Sequence, residues 1–259
     1  MGSIATARGR IGYLGAGDGD ATPIIFLHGV GQDKGAWAPQ LAHFGTSRRA
    51  IAFDYPGYGE SEFAEGATRD DYAAAILAAM DALGIDRAHV CGLSLGGVIA
   101  IAMHAAAPER CASLIIADSF AVHPDGQGIH DRAVAASRAM TMRELAEART
   151  GLLLGSAATP ELRNEAVEKM AAIDPQAFRI GSAAVWLADQ RDRAAGIEVP
   201  TLIIVGEEDG ITPPALSEKL HCLIPGSQLT RIAASGHLTN SEQPEVFNAA
   251  VEVFLSQQR

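Results

Sequence analysis

The chain has 259 residues, 48% of them hydrophobic, and a formal net charge of −11; that length suits one large α/β domain or two small ones, with enough apolar residues for a sizeable core. A negative field repels phosphate backbones and no window gathers Lys and Arg into a stripe, so nucleic-acid binding has no electrostatic footprint. No stretch approaches the ~18 consecutive apolar residues of a spanning helix and the first ten residues lack an apolar signal region, so no membrane partner and a cytoplasmic location are expected.

Along the chain, Ile4 to Leu14 alternates around Gly9 as an opening hairpin does, before the turn-rich stretch Gly15 to Asp20. Ile24 to His28 is apolar and β-branched enough to predict a strand covered on both faces, and it ends in His28-Gly29-Val30-Gly31. A helix is predicted over Trp37 to Phe44 and a strand over Arg49 to Asp54, closed by the turn Tyr55-Pro56-Gly57-Tyr58-Gly59. Thr68 with Asp71 forms a capping pattern, after which Tyr72, Ile76, Met80 and Leu83 give the spacing of an amphipathic helix that closes at Gly84. Ala88 to Cys91 is a short strand running into Gly92-Leu93-Ser94-Leu95-Gly96-Gly97, a helix follows from Val98 to Ala107, and Ser113 to Asp118 is another strand.

From Ser119 to about Glu198 the periodicity is purely helical, with breaks at Pro124, Gly155, Pro160 and Pro175. The α/β pattern resumes with the strand Thr201 to Val205, the turn Gly206 to Thr212, a helix from Pro213, the strand Gln228 to Ile232, and a last helix over Pro244 to Leu255. The expected organisation is therefore an α/β core made of residues 1–118 and 199–259, with 119–198 inserted as a helical cap. Cys91, Cys111 and Cys222 have neither disulfide nor metal-ligand spacing and are expected to be reduced core thiols.

Four segments, around Val30, Ser94, Asp209 and His237, carry candidate chemistry. A serine hydroxyl is a poor nucleophile unless it is exposed, supplied with a base and flanked by oxyanion donors. The strand, Gly-x-Ser-x-Gly and helix succession around Ser94 forces that serine onto a sharp turn at a helix N-terminus. The order nucleophile, acid, base is then met by Ser94, Asp209 and His237, each following a strand end. Asp118 also ends a strand and competes with Asp209 for the acid. The backbone N–H groups of Val30 and Leu95 are the expected oxyanion hole. His28 is expected to be structural, its ring bonding loop backbone, and Glu207 and Glu208 to be solvated neighbours of Asp209. Trp37 and Trp186 are candidates for the apolar wall of a substrate site; Arg132, Arg138 and Arg143 could bind a substrate carboxylate, but their pattern favours a solvated helix face. No His-Glu-x-x-His, Gly-x-Gly-x-x-Gly or P-loop pattern is present, so no metal and no cofactor are expected.

These pieces, in this order, resemble the α/β-hydrolase fold superfamily from Ile24 to Leu255. The segments that carry the likeness are His28-Gly29-Val30-Gly31, Asp54-Tyr55-Pro56-Gly57-Tyr58-Gly59-Glu60-Ser61, Gly92-Leu93-Ser94-Leu95-Gly96-Gly97, Gly206-Glu207-Glu208-Asp209 and Gly236-His237. Within it the chain is most similar to 3-oxoadipate enol-lactonase-like hydrolases. The resemblance implies a mostly parallel, eight-stranded sheet flanked by helices, with the cap entering after the sixth strand. It also implies a serine hydrolase that cleaves a small ester or lactone through an acyl-enzyme. Carbon–carbon bond hydrolases and perhydrolases share these motifs, and a ligand receptor built on the same fold is the reading from outside enzymology. A homo-oligomer is compatible with all of them.

Overall fold

A computed structural model of the chain describes residues 2–258. Seven strands form one sheet: β1 (Gly2–Thr6), β2 (Gly9–Leu27), β3 (Arg48–Phe53), β4 (Ala88–Leu93), β5 (Cys111–Ala117), β6 (Thr201–Gly206) and β7 (Gln228–Ile232). β1 and β2 make the antiparallel hairpin, Thr6 opposite Gly9, and from β2 the sheet continues through β4, β5, β6 and β7 in parallel.

β2 meets β3 twice. Tyr13 to Ala16 runs opposite Phe53 to Ala50 in descending register, and Ile24 to Leu27 runs opposite Ala50 to Phe53 in ascending register. The extended chain thus folds around β3 at Gly17, where φ is 73° and a Cβ would strike the carbonyl oxygens of Gly45 and Arg48. The expected eight strands are seven for this reason: the stretch from Gly15 to Asp20 bends at Gly17 without interrupting the strand Gly9–Leu27, and β2 supplies two limbs. By this count the helical insertion follows the fifth strand rather than the sixth.

Period-2 alternation divides the core between the two faces of the sheet. Ile25, Leu27, Ile51, Phe53, Leu114, Ile116 and Ile203 point to one apolar cluster, and Ile24, Phe26, Ala50, Ala52, Ile115, Leu202 and Ile204 to the other. The first face is covered by α2 (Arg69–Ala82), α3 (Leu95–Ala106) and, later in the chain, α9 (Pro214–Leu223); the second by α1 (Ala38–Phe44) and α11 (Pro244–Ser256). The capping pattern at Thr68 is present in full, with Asp71 N–H donating to Thr68 Oγ1 at 3.3 Å and Thr68 N–H to Asp71 Oδ2 at 2.9 Å. Tyr72, Ile76 and Met80, four residues apart, are buried against the sheet.

Between β5 and β6 lie α4 (Gly126–Ala139), α5 (Met142–Leu153), α6 (Pro160–Ala171), α7 (Pro175–Trp186) and α8 (Arg191–Ala195). Three of these start where the sequence is punctuated: Thr141 caps α5 in a box with Glu144, Thr159 precedes Pro160, and Asp174 precedes Pro175. α5 packs on α6 and α4 on α7. A short helix, α10 (Thr239–Glu242), precedes α11. Cys91 and Cys111 are buried, but Cys222, on the outer side of α9, is exposed and does not belong to the core.

Candidate functional site

Because β4 to β7 are parallel, the segments leaving their carboxyl ends meet along one edge of the sheet. Ser94 follows β4, Asp118 follows β5, Asp209 follows β6, and His237 follows β7.

Ser94 sits between β4 and α3 with φ 57° and ψ −114°, a conformation that side-chain-bearing residues rarely adopt. Its N–H donates to Ala117 O at 2.9 Å, while its carbonyl accepts from Ser119 Oγ at 2.8 Å and Gly97 N–H at 3.0 Å. The glycines that flank it are steric requirements. A Cβ on Gly92 would collide with the Gly96 carbonyl, and one on Gly96 would collide with Leu27 O at the end of β2. β4, β2 and α3 therefore close on one another only if both positions lack a side chain, which leaves the serine on the turn between them, buried but lining a cavity.

His237 is set by backbone and side chain together. Its N–H donates to Leu153 O at 2.7 Å, and its Nδ1 lies 2.8 Å from Asp209 Oδ2. Asp209 is held in turn: Oδ1 accepts from the N–H groups of Ile211 and Thr212, and Oδ2 accepts from Thr212 Oγ1 at 2.7 Å. Burial pushes the Asp209 carboxyl up, but the His237 ring and the Thr212 hydroxyl and amide outweigh it, leaving the carboxyl below its ordinary range. An ionised carboxylate only accepts, so Nδ1 carries the ring proton and Nε2 is left as the acceptor.

Asp118 faces other partners. Its Oδ1 accepts from Gly206 N–H at 2.9 Å and its Oδ2 from Thr239 Oγ1 at 2.5 Å. Burial and the nearby charge of Asp209 push its carboxyl well above the usual range. Of the two acids weighed from sequence, the structure brings only Asp209 to the His237 ring.

The loop after β2 is pinned from below. His28 Nδ1 bonds Gly29 O at 2.8 Å, Tyr55 and Tyr58 donate their hydroxyls to the carbonyls of His28 and Val30, and the Lys34 ammonium reaches Asp54 Oδ2 at 2.6 Å and Glu60 at 3.0 Å. Val30 lines a cavity that Ser94 and His237 also line. Among the described residues neither the Val30 N–H nor the Leu95 N–H, at the first position of α3, donates to another group.

The remaining wall of this cavity comes from the insertion and from the turn after β6. Trp186 lines it, stacked on Phe120 at 5.6 Å, as do Met170, Phe178 and Ile211. Trp37 does not. It is fully buried on the other face of the sheet, 4.9 Å from Phe26 and 6.0 Å from Phe247 between ring centroids. Closeness in sequence to the Val30 loop misleads because the 3-10 turn over Lys34–Trp37 swings the indole away. Glu208 is no bystander either: it accepts from Ser156 N–H at 2.6 Å and Ser156 Oγ at 2.8 Å, tying the turn after β6 to the insertion. Two polar residues of the cavity, Gln32 and Arg149, were not singled out from sequence. Arg149 carries a readable signal, since it lies four residues after Leu145 and four before Leu153 on the apolar stripe of α5.

Against known proteins, a family model described as alpha/beta hydrolase fold matches residues 22–244. The chain is 31% identical over 233 residues to 3-oxoadipate enol-lactonase 1 of Acinetobacter baylyi, covering 89% of this chain and 87% of that protein. Among solved structures, the enol-lactonase from Burkholderia xenovorans superposes with a TM-score of 0.92 at 26% identity, over 98% of this chain and 100% of that one. A malate-bound thermophilic esterase from Thermogutta terrifontis gives 0.91 at 26% identity, over 99% and 98%.

Proposed function

Since the chain belongs to the α/β hydrolase fold family, we propose that it hydrolyses a small carboxylic ester or lactone through an acyl-enzyme on Ser94, with His237 as base and Asp209 as the acid that orients it. The observation that carries this reading is the convergence of Ser94, on its strained turn, and the Asp209-held His237 on one largely apolar cavity. The enol-lactonase and esterase activities named for the relatives fit the same chemistry.

In this mechanism Ser94 Oγ attacks the carbonyl carbon while His237 Nε2 takes the hydroxyl proton. The oxyanion is held by the Val30 and Leu95 N–H groups, each such donor being worth about 10²- to 10³-fold in rate. His237 returns the proton to the leaving oxygen, a water attacks the acyl group with His237 again as base, and the acid departs with Ser94 restored. Residues 119–198 act as a cap over the core of 1–118 and 199–259, and Trp186 forms part of the apolar wall that receives the acyl or alcohol group.

The test is Ser94→Ala with p-nitrophenyl acetate and a panel of γ- and δ-lactones. Alanine keeps the Cβ and hence the backbone strain at φ 57°, so stability is expected to change by less than about 1 kcal/mol. Turnover is expected to fall by about 10⁴-fold or more. Turnover at the wild-type rate would end the proposal.

A further inference from the structure

The chain that carries His237 is not held by local preference. Three residues before it, Ala234 takes φ 53°, a left-handed conformation that a side-chain-bearing residue keeps only where surrounding contacts over-determine it. Gly236 lies backbone to backbone on the insertion: a Cβ there would strike Gly155 N and Leu153 O, and a Cβ on Gly155 would strike Gly236 N. Across this contact His237 N–H donates to Leu153 O at 2.7 Å. The N–H groups on either side of it, Gly236 and Leu238, both donate to Glu242 Oε1, at 2.9 and 3.1 Å, and Glu242 Oε2 accepts from Gly155 N–H at 2.7 Å. A carboxylate serving only to cap the short helix α10 would need the Leu238 N–H alone, whereas this one reaches 87 residues back along the chain to the insertion. Its charge matters as well as its lone pairs. Burial holds the Glu242 carboxyl above its ordinary range against the pull of the three N–H groups and of the His237 ring charge. The attraction between two charges is mutual, so an ionised Glu242 favours the imidazolium that His237 becomes each time it takes a proton.

We propose that Glu242 is a positioning residue for the base: by tying both N–H groups that flank His237 to the 153–155 segment of the insertion, it fixes where the ring stands between Asp209 and Ser94. This assignment rests on the hydrolase reading above. Glu242 does not line the cavity and acts only through His237, so the insertion helps to hold the base as well as covering the site.

The test is Glu242→Gln, in which the charge is gone and the single acceptor oxygen cannot serve both faces, so an NH₂ meets either Gly155 N–H or the pair beside His237. With p-nitrophenyl acetate, kcat is expected to fall about 10- to 100-fold, the range of a charged hydrogen bond. KM is expected to stay within about threefold, because the cavity wall is untouched. Proton NMR gives the second readout: the strongly deshielded proton of the His237 Nδ1–H···Asp209 bond is expected to move or broaden. Glu208→Gln is the control, since it loosens the same stretch of the insertion at Ser156 without reaching either N–H beside His237. It is expected to keep kcat within about threefold of wild type and the resonance in place. A Glu242→Gln kcat within about threefold of wild type, an unmoved resonance, or a loss that Glu208→Gln matches overturns the assignment. If the wild type turns over no ester, the hydrolase reading is what fails, and the resonance alone decides whether Glu242 positions His237. Should Glu242→Gln not fold, Glu242→Asp, whose carboxylate keeps the charge but is one methylene short, takes its place with the same readouts and thresholds.

Discussion

Replacing Asp209 and Asp118 one at a time by asparagine separates two buried carboxylates that sequence alone left in competition. In Asp209→Asn the amide carbonyl can keep the bonds from Ile211 and Thr212 N–H, now 2.8 and 2.9 Å. The other position becomes an NH₂ facing His237 Nδ1 at 2.8 Å. Donor then meets donor, and the ring relieves this by moving its proton to Nε2, where the Ser94 proton has to go. Thr212 Oγ1 can turn to accept from the new amide and give its hydrogen to Asp118 O, 2.9 Å away, so the loop survives. The expected loss is about 1.5–3 kcal/mol of stability for one charged hydrogen bond and about 10⁴-fold in kcat, the penalty of the wrong tautomer in a Ser-His-Asp arrangement. Asp118→Asn keeps the acceptor for Gly206 N–H and offers a donor to Thr239 Oγ1, so ester turnover is expected to stay within about tenfold of wild type. Steady-state hydrolysis of p-nitrophenyl acetate and urea unfolding measure both. Equal kinetic losses, or a larger one in Asp118→Asn, would refute the assignment of Asp209. The pH dependence has opposite signs at the two sites. Burial and Asp209 raise the folded Asp118 carboxyl above its unfolded value, so its stabilisation is full below the unfolded value and is lost as pH rises through the folded one. The stability of Asp118→Asn relative to wild type is therefore expected to grow with pH. For Asp209, below its ordinary range, the contribution is present above the unfolded value and lost as pH falls through the folded one, so Asp209→Asn is expected to lose least in acid.

Lys34→Met leaves Asp54 buried with only backbone donors from Lys34 and Glu60, and the expected cost by urea unfolding is about 3–5 kcal/mol. Lys34→Met/Asp54→Asn is expected to recover most of it, and a single-variant loss under about 1 kcal/mol would show that the pair does not hold the Val30 loop. Glu242 accepts from Gly236 and Leu238 on Oε1 and from Gly155 on Oε2, at 2.9, 3.1 and 2.7 Å. Glu242→Gln sets an NH₂ against the Gly155 N–H, so a loss of about 1–3 kcal/mol is expected in the same measurement; an unchanged midpoint would mean that this strap between the insertion and the His237 loop carries no load.

What the sequence made legible is what backbone chemistry dictates locally. Gly92 and Gly96 can be read because two close approaches exclude a Cβ, and the Thr68 and Thr141 caps because their partners lie three residues on. Ser94, Asp209 and His237 were readable as a set because parallel strands return every following loop to the same edge. The bend in β2 was not readable, because the seven residues from Gly15 through Ala21 carry the same turn-favouring composition whether the chain breaks or curves around a neighbour. Trp37 was misplaced for a related reason: sequence proximity locates a Cα, whereas the 3-10 turn decides the direction of its side chain.

Arg149 escaped a different way. Charge on a helix is ordinarily counted by composition, and α5 contains Arg143, Glu144, Glu147 and Arg149, which together look like a solvated face. Position discriminates where composition does not. Arg143, two residues before Leu145 and so off its row, pairs with Glu168 on α6, while Arg149 shares the row of Leu145 and Leu153 and so is carried inward by the same 3.6-residue period that turns them toward the core. A cation placed on an apolar stripe costs free energy, and here the stripe ends at the cavity that Ser94 and His237 line.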